Sequence, residues 1–125
     1  MYVGRGRGMQ VTHEAVDGKR ILHLDGRFDF GARKTFKEAI EVGLEEGCPV
    51  VLDLEKVTFV DSSALGLLVI CHQNLKNKKV PFYLVNPQTY VKQVLDLANI
   101  GKMIPTYQTL AEIPKGHPVA TGAPA

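Results

Sequence analysis

Chemistry in this chain concentrates in one short segment, Asp61-Ser62-Ser63-Ala64-Leu65-Gly66. The segment follows Val57-Thr58-Phe59-Val60, an apolar run, and leads into Leu65, Leu68, Val69, His72 and Leu75 along one helical stripe. A helix that starts here has free N–H groups in its first turn. Asp61 or Ser62 can cap them by accepting their hydrogen bonds. Ser63 then stands in the first turn, at the carboxyl end of a strand, the edge at which parallel α/β sheets usually meet ligands and partners. A phosphate on Ser63 would add about −1.5 to −2 charges and strong acceptor oxygens. The helix dipole and free amides favour an anion at that place, so the fold would tolerate it. Its effect would fall on whatever surface rests against the helix start, with Asp61 adding like-charge repulsion. Spacing alone leaves a second reading open, in which both serines are capping residues and nothing more.

No other residues make a convincing reactive group. A Gly-x-x-x-x-Gly-Lys-Ser/Thr loop is missing, and Gly4, Gly6 and Gly8 do not follow an expected strand, so neither nucleotide fingerprint applies. Ser62 and Ser63 lack the flanking glycines of a hydrolase nucleophile elbow. His72 lies on the apolar helical stripe and reads as a packed histidine rather than a general base. Glu45-Glu46 read as a solvated helix end, and Asp53 and Glu55 flank a strand end without forming an acid–base pair. Cys48 and Cys71 lie far apart in apolar surroundings, with no zinc spacing, and read as small hydrophobes in a reducing compartment. No catalytic residue, metal site or cofactor is expected.

The elements that must position the segment follow from periodicity. Gln10 to Val16 and Lys19 to Leu24 are strand-like and joined by Asp17-Gly18, a two-residue hairpin signal. That turn pairs His13 with Leu22 and Thr12 with His23, so the two histidines face opposite sides of the sheet and cannot share a metal. Ala32 to Glu46 carries helical spacing through Phe36, Ala39, Ile40 and Leu44, with Gly47 as a stop. Pro49 to Leu54 reads as a buried central strand, Val80 to Val85 as the next, and Gln88 to Asn99 as a helix ended by Gly101. A short strand over Met103 to Tyr107 and a helical turn over Gln108 to Glu112 close the order. The expected fold is α/β, a mostly parallel sheet of four to five strands with an antiparallel edge hairpin and helices packed against it.

The 125 residues suit one core, and 45% hydrophobic with 22% charged residues is an ordinary globular balance. A formal net charge of +2 gives no field to hold nucleic acid or an anionic membrane. Lys76, Lys78 and Lys79 close a helix, where cations suit the dipole. The longest apolar run, Ala64 to Cys71, is too short to span a bilayer, and residues 1–9 lack a signal-peptide core. A cytoplasmic protein without a membrane span is expected. Residues 1–9, with Gly4-Arg5-Gly6-Arg7-Gly8, read as a flexible lead, residues 10–113 as the domain, and residues 114–125 as a disordered Pro- and Ala-rich tail.

Val50-Val51-Leu52-Asp53-Leu54, then Val57 to Val60, then Asp61-Ser62-Ser63-Ala64-Leu65-Gly66-Leu67-Leu68 closely resembles the signature of STAS domains of the anti-sigma factor antagonist family. Gly26-Arg27-Phe28-Asp29 resembles that family's loop before the first helix, and the element order matches from about Val11 to Ile113. Ala64 stands where many members carry glycine. The resemblance implies a STAS-type fold and a bacterial partner-switching role in transcription regulation. Ser63 would be phosphorylated by an anti-sigma factor that is also a serine kinase. The unphosphorylated protein would bind and sequester that kinase, and a PP2C-type phosphatase would restore the binding form. Asp29, Asp61, Ser62, Ser63, Ala64, Leu65 and Gly66 would form the partner-binding face of a monomer or weak dimer. An alternative is a constitutive STAS scaffold, a subunit of a signalling or lipid-transport assembly that does not depend on the serine.

Overall fold

The computed structural model describes residues 3–6 and 8–114. Asp17 and Gly18 both take positive φ, 49° and 77°, the geometry a tight two-residue hairpin demands. They join β2 (Met9–Val16) to β3 (Lys19–Phe28), with Thr12 opposite His23 and His13 opposite Leu22, the register expected from the turn. From β3 onward the chain crosses over through helices: α1 (Arg33–Glu46), β4 (Val50–Val60), α2 (Ser62–Asn77), β5 (Phe82–Val85), α3 (Thr89–Leu97) and β6 (Thr106–Tyr107). The pairings β3–β4, β4–β5 and β5–β6 are all parallel.

Within residues 1–9, expected as a flexible lead, the described residues Val3–Gly6 form a strand. β1 (Val3–Gly6) pairs antiparallel with β2, Val3 opposite Thr12 and Gly6 opposite Met9. The outer edge of β2 offers a row of backbone donors and acceptors, and antiparallel pairing needs no particular side chains to use them. The sheet therefore has six strands in sequential order rather than four to five. Of the tail expected from Pro114 onward, only Pro114 lies within the described residues.

Alternation along the strands divides the interior into two layers. Leu22, Leu24, Val50, Leu52 and Leu84 face the helices and join Phe36, Ile40, Leu68, Leu75, Val91 and Leu95 in the main core. Ile21, Val51, Tyr83 and Val85 face the opposite side, where Leu110 and Ile113 of the terminal turn cover them. β4 runs longer than the two separate runs in the sequence suggest, because two register shifts against β3, one after the Gly26–Val57 pair and one after the His23–Asp53 pair, absorb two extra residues. Asp53 supports the latter irregularity by accepting the Glu55 backbone N–H at 3.0 Å.

The end of β3 depends on Gly26. At φ +114° it takes a conformation that side chains resist, and a Cβ there would lie 2.1 Å from the Gly8 carbonyl oxygen. The next residue, Arg27, donates its N–H to that carbonyl at 2.7 Å. This close crossing aims Phe28 and Asp29 at the sheet edge where β4 also ends.

Candidate functional site

Phe28 and Val60 are partners at the ends of the parallel pair β3–β4, and Asp29 and Asp61 come directly after them. The Asp61 N–H donates to the Phe28 carbonyl at 3.4 Å, which ties the two exits together. Each aspartate then caps the helical segment it precedes. Asp29 accepts from the Gly31 N–H at 3.0 Å, and the Arg27 guanidinium lies 3.4 Å from its other oxygen. Asp61, in extended backbone conformation, accepts from the Ala64 N–H at 2.9 Å. Of the two caps open in the sequence, Asp61 is the one formed.

With Asp61 as cap, Ser62 and Ser63 are the first two residues of α2. The capping carboxylate takes the third N–H, leaving the N–H groups of both serines facing outward from the helix end. Ser62 is exposed and Ser63 half-buried. Ala64 is fully buried, so its small side chain lets α2 lie close on the sheet and leaves contact with any partner to its neighbours. Leu65 is half-buried against the main core. Gly66 is exposed, and a Cβ built on it would meet nothing within 4 Å. Asp29, Asp61, Ser62, Ser63 and Gly66 thus share one accessible corner, while Ala64 and Leu65 support it from beneath.

Chemically this corner offers the unpaired N–H groups of a helix start and two serine hydroxyls. Asp61 is occupied in capping, so it is not poised to take a serine proton. His72 is half-buried further along α2, and burial, then the Lys76 charge, lower its pKa. Burial pushes the Cys71 thiol up to about 12, against a smaller pull from Lys37, so it stays an inert thiol.

One polar group was not foreseen. On the sheet face away from the helices, the His23 ring lies 2.7 Å from an Asp53 oxygen through Nδ1 and 2.6 Å from a Glu14 oxygen through Nε2. Burial alone would lower the His23 pKa, but the hydrogen bonds to Glu14 and Asp53 and their charges raise it overall. Asn86, just past β5, reaches the other Asp53 oxygen at 3.4 Å. The Thr12–His23 register hinted at Glu14, two residues on and on the same face; Asp53 needed the parallel register of β3 and β4. His13, on the helix side of the sheet, is buried, and its pKa is lowered by burial and then Arg20, against Glu46.

No helix among the described residues is long and apolar enough to cross a membrane. The STAS domain family model matches residues 10–113. A STAS-domain containing protein of Pseudomonas aeruginosa is 31% identical over 90 residues, 71% of this chain and 89% of that protein. A crystal structure of a proposed anti-sigma factor antagonist from Thermotoga maritima superposes with a TM-score of 0.74 at 26% identity, covering 82% of this chain and 89% of the other. The Bacillus anti-sigma factor antagonist SpoIIAA, solved in unphosphorylated and phosphorylated forms, gives TM-scores of 0.66 and 0.61 at 21% identity. Those two superpositions cover 82% of this chain and 90% and 94% of SpoIIAA, a likeness of fold.

Proposed function

This chain belongs to the STAS-domain family, and from that premise we propose that it is a cytoplasmic anti-sigma factor antagonist switched by phosphorylation of Ser63. Unphosphorylated, it binds and sequesters an anti-sigma factor serine kinase; phosphorylated, it lets the kinase go. A PP2C-type phosphatase resets it. It acts by binding rather than by catalysis, as a monomer or weak dimer.

The observation that carries this reading is the place of Ser63, second in α2 beside the capping Asp61. A phosphate there meets free helix N–H groups, so the domain accommodates it. The same phosphate, added to Asp61 and Asp29, turns the corner strongly anionic, and a partner that fits the neutral serine meets repulsion and an unmatched volume. The relationship to proteins named as anti-sigma factor antagonists, and the existence of SpoIIAA in a phosphorylated form, support the same assignment.

The test is a pull-down from native lysate with wild type, Ser63→Ala and Ser63→Asp, each checked for folding by circular dichroism. Wild type and Ser63→Ala should retain a serine kinase of the anti-sigma type, and Ser63→Asp should lose it. Capture of the same kinase by all three would refute the switch and favour the constitutive scaffold. Intact mass of the protein recovered from cells supplies the second arm, with an added phosphate expected on wild type and absent from Ser63→Ala.

A further inference from the structure

α1 and α2 each follow a strand of the parallel pair β3–β4, so both start at the same sheet edge and run side by side. Between them lies a groove with a cavity of about 240 Å³. Its floor is apolar, made by the buried Ile40, Leu67 and Cys71. Arg33, Lys37 and Glu41, successive turns along α1, and Ile70 on α2 line its walls. Helical spacing sets Ser63, Leu67 and Ile70 on one stripe of α2, with Ser63 one turn before the lining residue Leu67.

The groove has the marks of a protein-docking surface. Ile70 is 55% exposed and Phe30, just before α1, is 62% exposed, two of the five large apolar side chains left in solvent among the described residues. The Arg33 guanidinium lies 4.2 Å from the centre of the Phe30 ring, holding that ring in place. Arg33 and Lys37 form no ion pair among the described residues, as most of the lysines do not, so both charges are open to an outside carboxylate. An apolar trough with exposed anchors, two cations at the starting end of α1 and Glu41 a turn further on asks for an apolar stripe with carboxylates placed at the Arg33–Lys37 end.

We propose that the α1–α2 groove is the docking site for an acidic amphipathic helix of a protein partner, with Phe30 and Ile70 as apolar anchors and Arg33 and Lys37 receiving carboxylates. The proposal deepens the functional reading above and rests on it for the partner's identity. A small anion held in the cavity alone would leave Phe30 in water, which is why a helix is the fitting occupant. A phosphate on Ser63 stands at the head of this groove and competes with the helix's carboxylates for the two cations.

The test uses the full chain and a synthetic peptide, so its outcome is separate from capture of the kinase. The peptide is a fluorescein-labelled helix of about four turns, with leucines along one stripe and glutamates flanking it; a control carries lysines in place of the glutamates. Fluorescence anisotropy should show the glutamate peptide binding about tenfold more tightly, and NMR of the isotope-labelled full chain should show amide shifts centred on α1 and α2. Arg33→Glu with Lys37→Glu should reverse the preference, and Ile70→Ser should weaken the glutamate peptide about tenfold. Lys37→Ala, a single exposed change, guards against loss of fold and should weaken the glutamate peptide alone. Equal affinity for both peptides, or shifts centred on Tyr90 and Leu97, would overturn the proposal. So would saturable binding of decanoate in the groove with no binding of either peptide.

Discussion

Gly66 occupies the second turn of α2 on its exposed side, with open space where a Cβ would be and no positive φ to preserve. Inside a helix, glycine costs about 0.5–1 kcal/mol relative to alanine, chiefly through the freedom it loses on folding. No contact among the described residues offsets that cost, so Gly66→Ala should stabilise the isolated domain by about 0.5–1 kcal/mol. With a urea slope of about 1.5 kcal/mol per M for a chain of this size, the midpoint should rise by about 0.3–0.7 M. If a partner approaches the bare backbone at Gly66, the same methyl group stands in the interface. It should then weaken binding to the captured kinase by about tenfold, or about 1.4 kcal/mol. Urea unfolding followed by circular dichroism and titration of the kinase measure the two effects on one protein. Stabilisation with unchanged binding would remove Gly66 from the partner face. A lower urea midpoint would show that the glycine is needed by the fold, and would refute the reasoning from open space.

The other predictions concern the cap and the histidine. Asp61→Ala removes the acceptor of the Ala64 N–H and should cost about 1 kcal/mol of stability in urea, while Asp61→Asn, which still accepts, should recover most of it. His23 has a raised pKa in the folded chain, so its contribution is fully present below the unfolded value and is lost as pH rises through the folded one. The melting temperature should therefore fall as pH is raised from about 6 to about 9, and His23→Gln should flatten that slope. An equally steep slope in His23→Gln would assign the pH dependence to another group.

Much of this arrangement is legible in the sequence because the signals are local. Asp17-Gly18 dictates a turn, and alternation then forces His13 and His23 to opposite faces. Phe36, Ala39 and Ile40 repeat at helical spacing, and Asp61 stands where a strand gives way to a helix. What stays hidden depends on contacts between segments remote in sequence. The pairing of His23 with Asp53 needs the parallel register of two strands joined by α1, which no turn residue encodes. Val3–Gly6 has no apolar alternation to reveal it, and its pairing with β2 is a contact between backbone segments that no local pattern announces. The groove beside Ser63 arises only when α1 and α2 lie together, although Arg33, Lys37 and Ile70 are ordinary surface residues in their own segments.

The same contacts bear on how a charge at Ser63 acts. Asp61 is held from the sheet side, because its N–H bonds to Phe28 and its strand pairs with β3 up to that residue. Upstream, Asp53 anchors the irregularity in β4 through Glu55, while His23 and Asn86 fasten Asp53 to the neighbouring strand and loop. The helix start is therefore set by the register of β4 and by Asp61, neither of which involves the Ser63 hydroxyl. A phosphate can be added there without a bond inside the domain having to break. On the proposed mechanism the free-energy difference between the two states thus arises at the partner's surface, where a neutral hydroxyl is replaced by an anion at the mouth of a cationic groove. Variants that weaken the His23–Asp53 network should lower stability in both states equally and leave the ratio of their affinities unchanged.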